Sequence, residues 1–169
     1  MRFDRVWSMP NKNTFSIKPI RELIDEELYD IPGVSIDPFS GGNWIADFTN
    51  DLDPDVDAED HMDAIDYLKH HGSNSVGAVL FDPPYSPRQV SECYRRLEKT
   101  VNMQTTQSSY WGNLKKEIAR IVKPGGKVIS CAWNSGGVGK TLGFELVRVL
   151  LVPHGGWHND TIVTVEIKK

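Results

Sequence analysis

The run Val76-Gly77-Ala78-Val79-Leu80-Phe81-Asp82-Pro83-Pro84-Tyr85 decides the fold. Its first six residues are apolar without a break, the pattern of a strand covered on both faces. Such strands belong to parallel sheets flanked by helices. The run then stops at a carboxylate and two prolines. Proline lacks an amide hydrogen and fixes φ, so the turn is stiff and its carbonyls meet little local competition. In an open α/β sheet, ligands lie beyond the carboxyl ends of the strands. Asp82 beside the Pro83 carbonyl is an acceptor pair suited to an NH2 group. The ring of Tyr85 suits a planar base.

Working outward, residues 19–29 read as a helix with Pro19 in its first turn. Residues 34–36 read as a short strand that runs into the turn Asp37-Pro38-Phe39-Ser40-Gly41-Gly42. A second strand is expected over 44–49, and a helix over 59–71 with Met62, Ile65 and Leu68 on one face. Downstream, 86–97 begins as a turn and becomes helical, while 98–109 is polar and weakly patterned, a candidate mobile loop. A helix over 110–122 is closed by Pro124-Gly125-Gly126, and a strand follows over 127–133. Residues 145–152 and 161–168 read as two strands joined by the turn-rich 153–160, and residues 1–18 read as polar and irregular. Together these predict an α/β sandwich with a mostly parallel sheet and a C-terminal antiparallel hairpin. Asp37, Asp51, Asp82 and Asn134 each follow a predicted strand and should gather along one sheet edge.

The chain has 169 residues, suited to one compact domain with a real core and with little room for a second. Hydrophobic residues make up 39% and charged residues 25%, which argues against a disordered chain. No apolar run is long enough to cross a bilayer, and the N-terminus lacks the apolar stretch of a signal peptide, so a cytoplasmic protein is expected. Cys93 and Cys131 are too few for a disulfide framework or an all-cysteine metal site. Cys131 sits in an apolar run and reads as a buried thiol. The net charge of −4 is unfavourable for binding a phosphate backbone. A local basic patch or a partner would have to compensate.

From about Phe15 to Trp133 the chain resembles the amino-group DNA methyltransferases, a branch of the Rossmann-like class I methyltransferase fold. Asp82-Pro83-Pro84-Tyr85 is similar to that family's catalytic motif. The resemblance implies that Asp82 and the Pro83 carbonyl hold the target amine while Tyr85 stacks on the flipped base. Asp37-Pro38-Phe39-Ser40-Gly41-Gly42 resembles the family's cofactor loop. It implies Asp37, Pro38, Phe39 and Gly41 around the methionine part of S-adenosylmethionine. One departure is that Asn43 occupies the second glycine's usual slot. By position Asp51 resembles the residue that binds the cofactor ribose, with Asp53 as the fallback. Phe15-Ser16-Ile17-Lys18-Pro19 resembles the family's Lys-Pro segment, implying Phe15, Lys18 and Pro19 on the cofactor. The implied reaction is direct methyl transfer to the exocyclic amine of adenine in DNA, releasing S-adenosylhomocysteine without a metal. Cytosine, RNA and a non-catalytic binding subunit stay open. Recognition would come from a homodimer or second subunit, since only 86–109 is available for it. Compact enzymes of this kind are often carried by phages or mobile elements.

Other motifs compete for attention. Arg88, Arg95, Arg96 and Lys99 form the one basic cluster near the turn, expected either to contact phosphates or to be a solvated helix face. Gly136-Gly137-Val138-Gly139-Lys140-Thr141 is P-loop-like, but Asn134 stands where the first glycine belongs. His154 and His158 have a spacing that zinc uses on helices, yet they lie in a turn. The alternating aspartates of 51–57 lack the glycine and terminal glutamate of a calcium loop.

Overall fold

In the computed structural model, residues 1–97 and 108–169 are described. Their strands are β1 (Arg2–Arg5), β2 (Ser35–Asp37), β3 (Phe48–Thr49), β4 (Val76–Phe81), β5 (Val122–Ala132), β6 (Phe144–Val152) and β7 (Thr161–Lys168). The helices are α1 (Lys18–Leu28), α2 (Ala64–His70), α3 (Pro87–Arg96) and α4 (Ser108–Ile121). The strands form one sheet in the order β1-β6-β7-β5-β4-β2-β3. Only β7 runs against its neighbours, β5 and β6; the other pairs are parallel. This is the expected mostly parallel sheet with an antiparallel hairpin at its C-terminal end. Among the described residues no helix is long and apolar enough to cross a membrane.

All six residues of β4 are buried. Val79 and Phe81 face one core with Leu68 of α2 and Leu114 and Ile118 of α4. Leu80 faces the other with Ile20, Leu23 and Ile24 of α1. Each such aliphatic side chain contributes about 1.5–3 kcal/mol when fully buried. Gly77 is needed at the start of β4, because a Cβ there would lie 2.9 Å from the backbone nitrogen of Gly33.

The structure corrects four boundaries, the first being that β5 starts at Val122 and runs through Pro124-Gly125-Gly126, with an irregular register against β4, rather than starting at residue 127. Residues 1–18 are not wholly irregular: β1 pairs with β6 at the sheet edge. It was invisible as a pattern because none of its residues is buried. Buried Arg148 helps hold it, pairing with Asp4 at 3.3 Å and with Glu26 and Glu27 of α1 at 2.9 and 3.1 Å. The strand expected over 44–49 shrinks to Phe48–Thr49. Just before it, the Asp47 carboxylate takes the Ser35 amide (2.8 Å) and hydroxyl (2.9 Å), replacing ladder bonds with side-chain ones. The helix expected over 59–71 starts at Ala64, because Asp63 caps it by accepting from the Ile65 amide. Residue 60 is instead tied to the end of β3: the Asp60 amide donates to the Thr49 carbonyl.

Candidate active site

The chain leaves β2 toward β3 on one side, then returns to place β4 on the other. Such a reversal opens a crevice at the carboxyl ends of the two central strands. Asp37 ends β2, and Asp82 follows β4 directly. Their position is therefore a consequence of topology.

Asp37 is fully buried. One carboxylate oxygen accepts from the Phe39 amide at 2.9 Å, and Oδ2 has no partner among the described residues. Burial pushes its pKa well above the usual carboxylate range, the Phe39 amide opposes this, and the charges of Asp82 and Asp51 add to the rise. Asp51 braces the neighbouring loops. Its two oxygens accept from the Gly41 and Asp53 amides, each at 2.9 Å. Each oxygen keeps a second lone pair for a ligand hydroxyl. Buried Asn50, which sequence reasoning missed, ties the same loops by donating to the carbonyls of Pro38 and Met62, both at 3.1 Å.

The turn at 82–85 is held from several sides. Ser86 caps α3, with Pro87 in its first turn, so the turn leads straight into a helix. The Tyr85 amide donates to Gln89 Oε1 at 2.6 Å, and Trp111 Nε1 donates to the Pro84 carbonyl at 3.0 Å. Among the described residues nothing donates to the Pro83 carbonyl. The Tyr85 hydroxyl donates to Asp82 Oδ1. Burial raises the Asp82 pKa from its ordinary value to about 6, against the opposing pull of the Tyr85 and Thr14 hydroxyls. Burial and the Asp82 charge also push the Tyr85 phenol upward.

Two cavities meet at this turn. The first, of about 610 Å³, has Phe39, Gly41, Asp51, Asp82, Val56 and Tyr94 among its walls. The second, of about 460 Å³, lies toward Trp111, Trp133 and Asn134. Pro83 and Tyr85 line both, so the turn is the partition between them.

The structure brings Pro38, Phe39, Gly41, Asp51, Asp82, Pro83, Pro84 and Tyr85 to the first cavity. Phe15 is instead buried in the core, while its neighbours Lys12 and Thr14 reach the cavity. Lys18 and Pro19 open α1 away from both cavities, and Lys18 lies 3.8 Å from Glu22 at the surface. Arg96 lines the first cavity and pairs with Asp53 at 2.9 Å. Arg88 pairs with Glu92 at 2.8 Å, Arg95 is exposed, and Lys99 lies outside the described residues. The aromatic residues Tyr94, Tyr110, Trp111 and Trp133 were missed, because no local motif marks them.

The P-loop alternative fails on geometry. The Glu166 carboxylate accepts from the Val138 and Gly139 amides at 2.5 and 2.9 Å, filling the place a phosphate would need. Gly137 has φ +48°, and a Cβ on it would lie 2.2 Å from Glu166 Oε2. His154 is equally committed: Nδ1 donates to the Ser8 carbonyl at 2.9 Å, and Nε2 lies 2.8 Å from Thr161 Oγ1. Among the described residues no group of three or more potential ligands could hold a metal ion.

With this geometry in view, solved structures show the same architecture. TrmN from Thermus thermophilus is similar over 90% of this chain and 49% of its own, at 18% identity and a TM-score of 0.57. The 1,6-didemethyltoxoflavin-N1-methyltransferase of Burkholderia thailandensis, bound to 1,6-didemethyltoxoflavin and S-adenosylhomocysteine, matches 90% of this chain and 77% of its own (12% identity, TM-score 0.56). The N-methyltransferase NodS of Bradyrhizobium japonicum, also with S-adenosylhomocysteine, matches 94% and 89% (11%, 0.54). The chain thus has the Rossmann-like α/β fold of methyltransferases, and it spans about half the length of TrmN. No protein-family model matches it, and no curated protein matches by sequence.

Proposed function

We propose that this chain is an S-adenosylmethionine-dependent methyltransferase acting by direct transfer on the exocyclic amine of a nucleic-acid base, with adenine in DNA as the first candidate. One observation carries this reading: the Asp82-Pro83-Pro84-Tyr85 turn divides two cavities at the switch point of the sheet. A donor and an acceptor could occupy the two sides and meet at Asp82. Residues 1–169 would act as one catalytic domain, with target recognition supplied by a second copy or another subunit.

The first cavity suits the cofactor. The unpartnered buried oxygen of Asp37 would accept from the ammonium of its methionine part, and the space beside Gly41 is open. Asp51 would take the ribose hydroxyls, Pro38 and Phe39 would line the methionine part, and Phe15 would support them from the core. S-adenosylmethionine supplies, when bound, an electrophilic methyl group on a sulfonium. Asp82 and the Pro83 carbonyl accept the amine's hydrogens and turn its lone pair toward that methyl. The cofactor would give up that methyl to the amine nitrogen and keep the S–C electron pair, leaving as S-adenosylhomocysteine. The surplus proton leaves through Asp82, whose pKa of about 6 suits a transient acceptor. Positioning and electrostatics carry most of the acceleration.

A second reading has its own observation. Arg88 and Arg96 are both paired with carboxylates, which leaves less positive charge for a phosphate backbone. The same reaction on a free heteroaromatic amine fits that better. One experiment separates them. The protein is incubated with methyl-labelled cofactor and with duplex DNA, single-stranded DNA, RNA or free nucleosides, followed by mass spectrometry of the nucleosides. Label on N6 of adenine in DNA supports the first reading; label only on free nucleosides supports the second. No label on any base, with cofactor still bound, refutes both.

A further inference from the structure

The second cavity is built from aromatic rings. Tyr85 and Trp133 meet edge to face, with centroids 5.4 Å apart and planes at 69°. Trp111 is fixed by its bond to the Pro84 carbonyl. Trp133 is 44% exposed, a large apolar ring left open at the cavity mouth. Rings held this way suit a planar ligand, and stacking on one is worth roughly 1–3 kcal/mol per base.

Two polar groups add direction. Asn134 Oδ1 accepts from the Gly136 amide at 2.9 Å, which orients the carboxamide. Its NH2 makes no hydrogen bond among the described residues and can only donate. Glu166 holds the following loop by the Val138 and Gly139 amides, so the stretch carrying Asn134 is anchored from beneath. At the floor, Ser130 is buried and its hydroxyl is unpartnered among the described residues.

The second cavity is therefore lined by Pro83 of the partition and by Asn134, whose NH2 is a donor, while Asp82 stands on the first cavity's side of the same turn. An amine attached next to a ring nitrogen presents the complementary pair, N–H and a lone pair. We propose that the second cavity binds the acceptor ring against Trp133. In it, Asn134 selects rings that carry a hydrogen-bond-accepting nitrogen beside the amine. This rests on the methyltransferase reading above and specifies what that site accepts. Adenine and cytosine both qualify; an amine on a ring without the adjacent nitrogen does not.

The test uses oligonucleotides carrying either the base found to be methylated or its deaza analogue: 1-deazaadenine for adenine, 3-deazacytosine for cytosine. The readout is the ratio of kcat/KM between the two within each protein. That ratio is insensitive to partial loss of folded enzyme. Wild type should prefer the natural base by about tenfold or more. Asn134→Asp keeps an oxygen for Gly136 but loses the donor, and should bring the ratio close to one. Trp133→Ala should raise KM for both bases by on the order of tenfold while leaving the ratio intact. An unchanged ratio in Asn134→Asp, or an unchanged KM in Trp133→Ala, overturns the pocket assignment while methyl transfer itself continues. A wild type that methylates no base overturns the functional reading and this inference with it.

Discussion

Replacing Asp82 with asparagine should stabilise the protein, and the gain should depend on pH. The ordinary aspartate pKa is 3.8, and burial lifts that of Asp82 to about 6. The two values lie roughly two pH units apart, equivalent to about 3 kcal/mol. The sign follows from the proton count. Between about pH 4 and 6 the folded chain holds a proton that the unfolded chain has released, so stability falls as pH rises through this window. Above it the folded protein carries the full cost of a buried charge. Asparagine never ionises, and its oxygen can still accept from the Tyr85 hydroxyl. The weaker bond from that hydroxyl returns roughly 1 kcal/mol, leaving a net gain of about 2 kcal/mol at pH 8. For a chain of this size that is a rise in Tm of about 4–8 °C. Thermal unfolding followed by circular dichroism from pH 4 to 8 should show the wild-type and variant curves meeting at the acid end, diverging between about pH 4 and 6, and staying a constant distance apart above it. A Tm difference that does not change with pH, or a variant less stable at pH 8, would refute the argument that Asp82 is held against its charge.

Three further outcomes follow from the same geometry. With Asp82 as the proton acceptor of the proposed reaction, log kcat/KM should climb with unit slope up to about pH 6 and then level; a flat profile from pH 5 to 8 would remove Asp82 from the proton path. On the proposed cofactor placement, Asp37→Asn should weaken binding of S-adenosylhomocysteine by about tenfold, measured by calorimetry, because the unpartnered Oδ2 would no longer be offered by a carboxylate; unchanged binding would take Asp37 out of the cofactor site. Glu166→Gln should cost about 1–3 kcal/mol in urea unfolding, since the charged acceptor for the Val138 and Gly139 amides is lost; no change would mean that the loop is held elsewhere.

The central strand was legible because its signal is local and strong. Six consecutive apolar residues exclude a surface position, and two prolines exclude continuation. The loop from Asp37 to Gly41 was legible for a similar reason, a carboxylate and glycines packed into one turn. Strand β1 was not, because an exposed edge strand has no apolar alternation to read. The ends of β3 and α2 were misplaced because Asp47 and Asp63 spend their carboxylates on neighbouring amides, a choice that depends on where Ser35 and Ile65 lie.

The same division runs through the site. Composition and order along the chain determined the chemistry at residues 82–85: a carboxylate, an open carbonyl and an aromatic ring on a stiff turn. Those properties belong to the residues and their covalent neighbours, so no folding is needed to read them. Tertiary structure decided that the turn is a partition with a cavity on each side, that Tyr85 points its hydroxyl at Asp82, and that Arg96 pairs with Asp53. It also brought Trp111 and Trp133 to one wall from separate elements. Sheet order and helix packing set these distances, and neither is encoded in any short window of sequence.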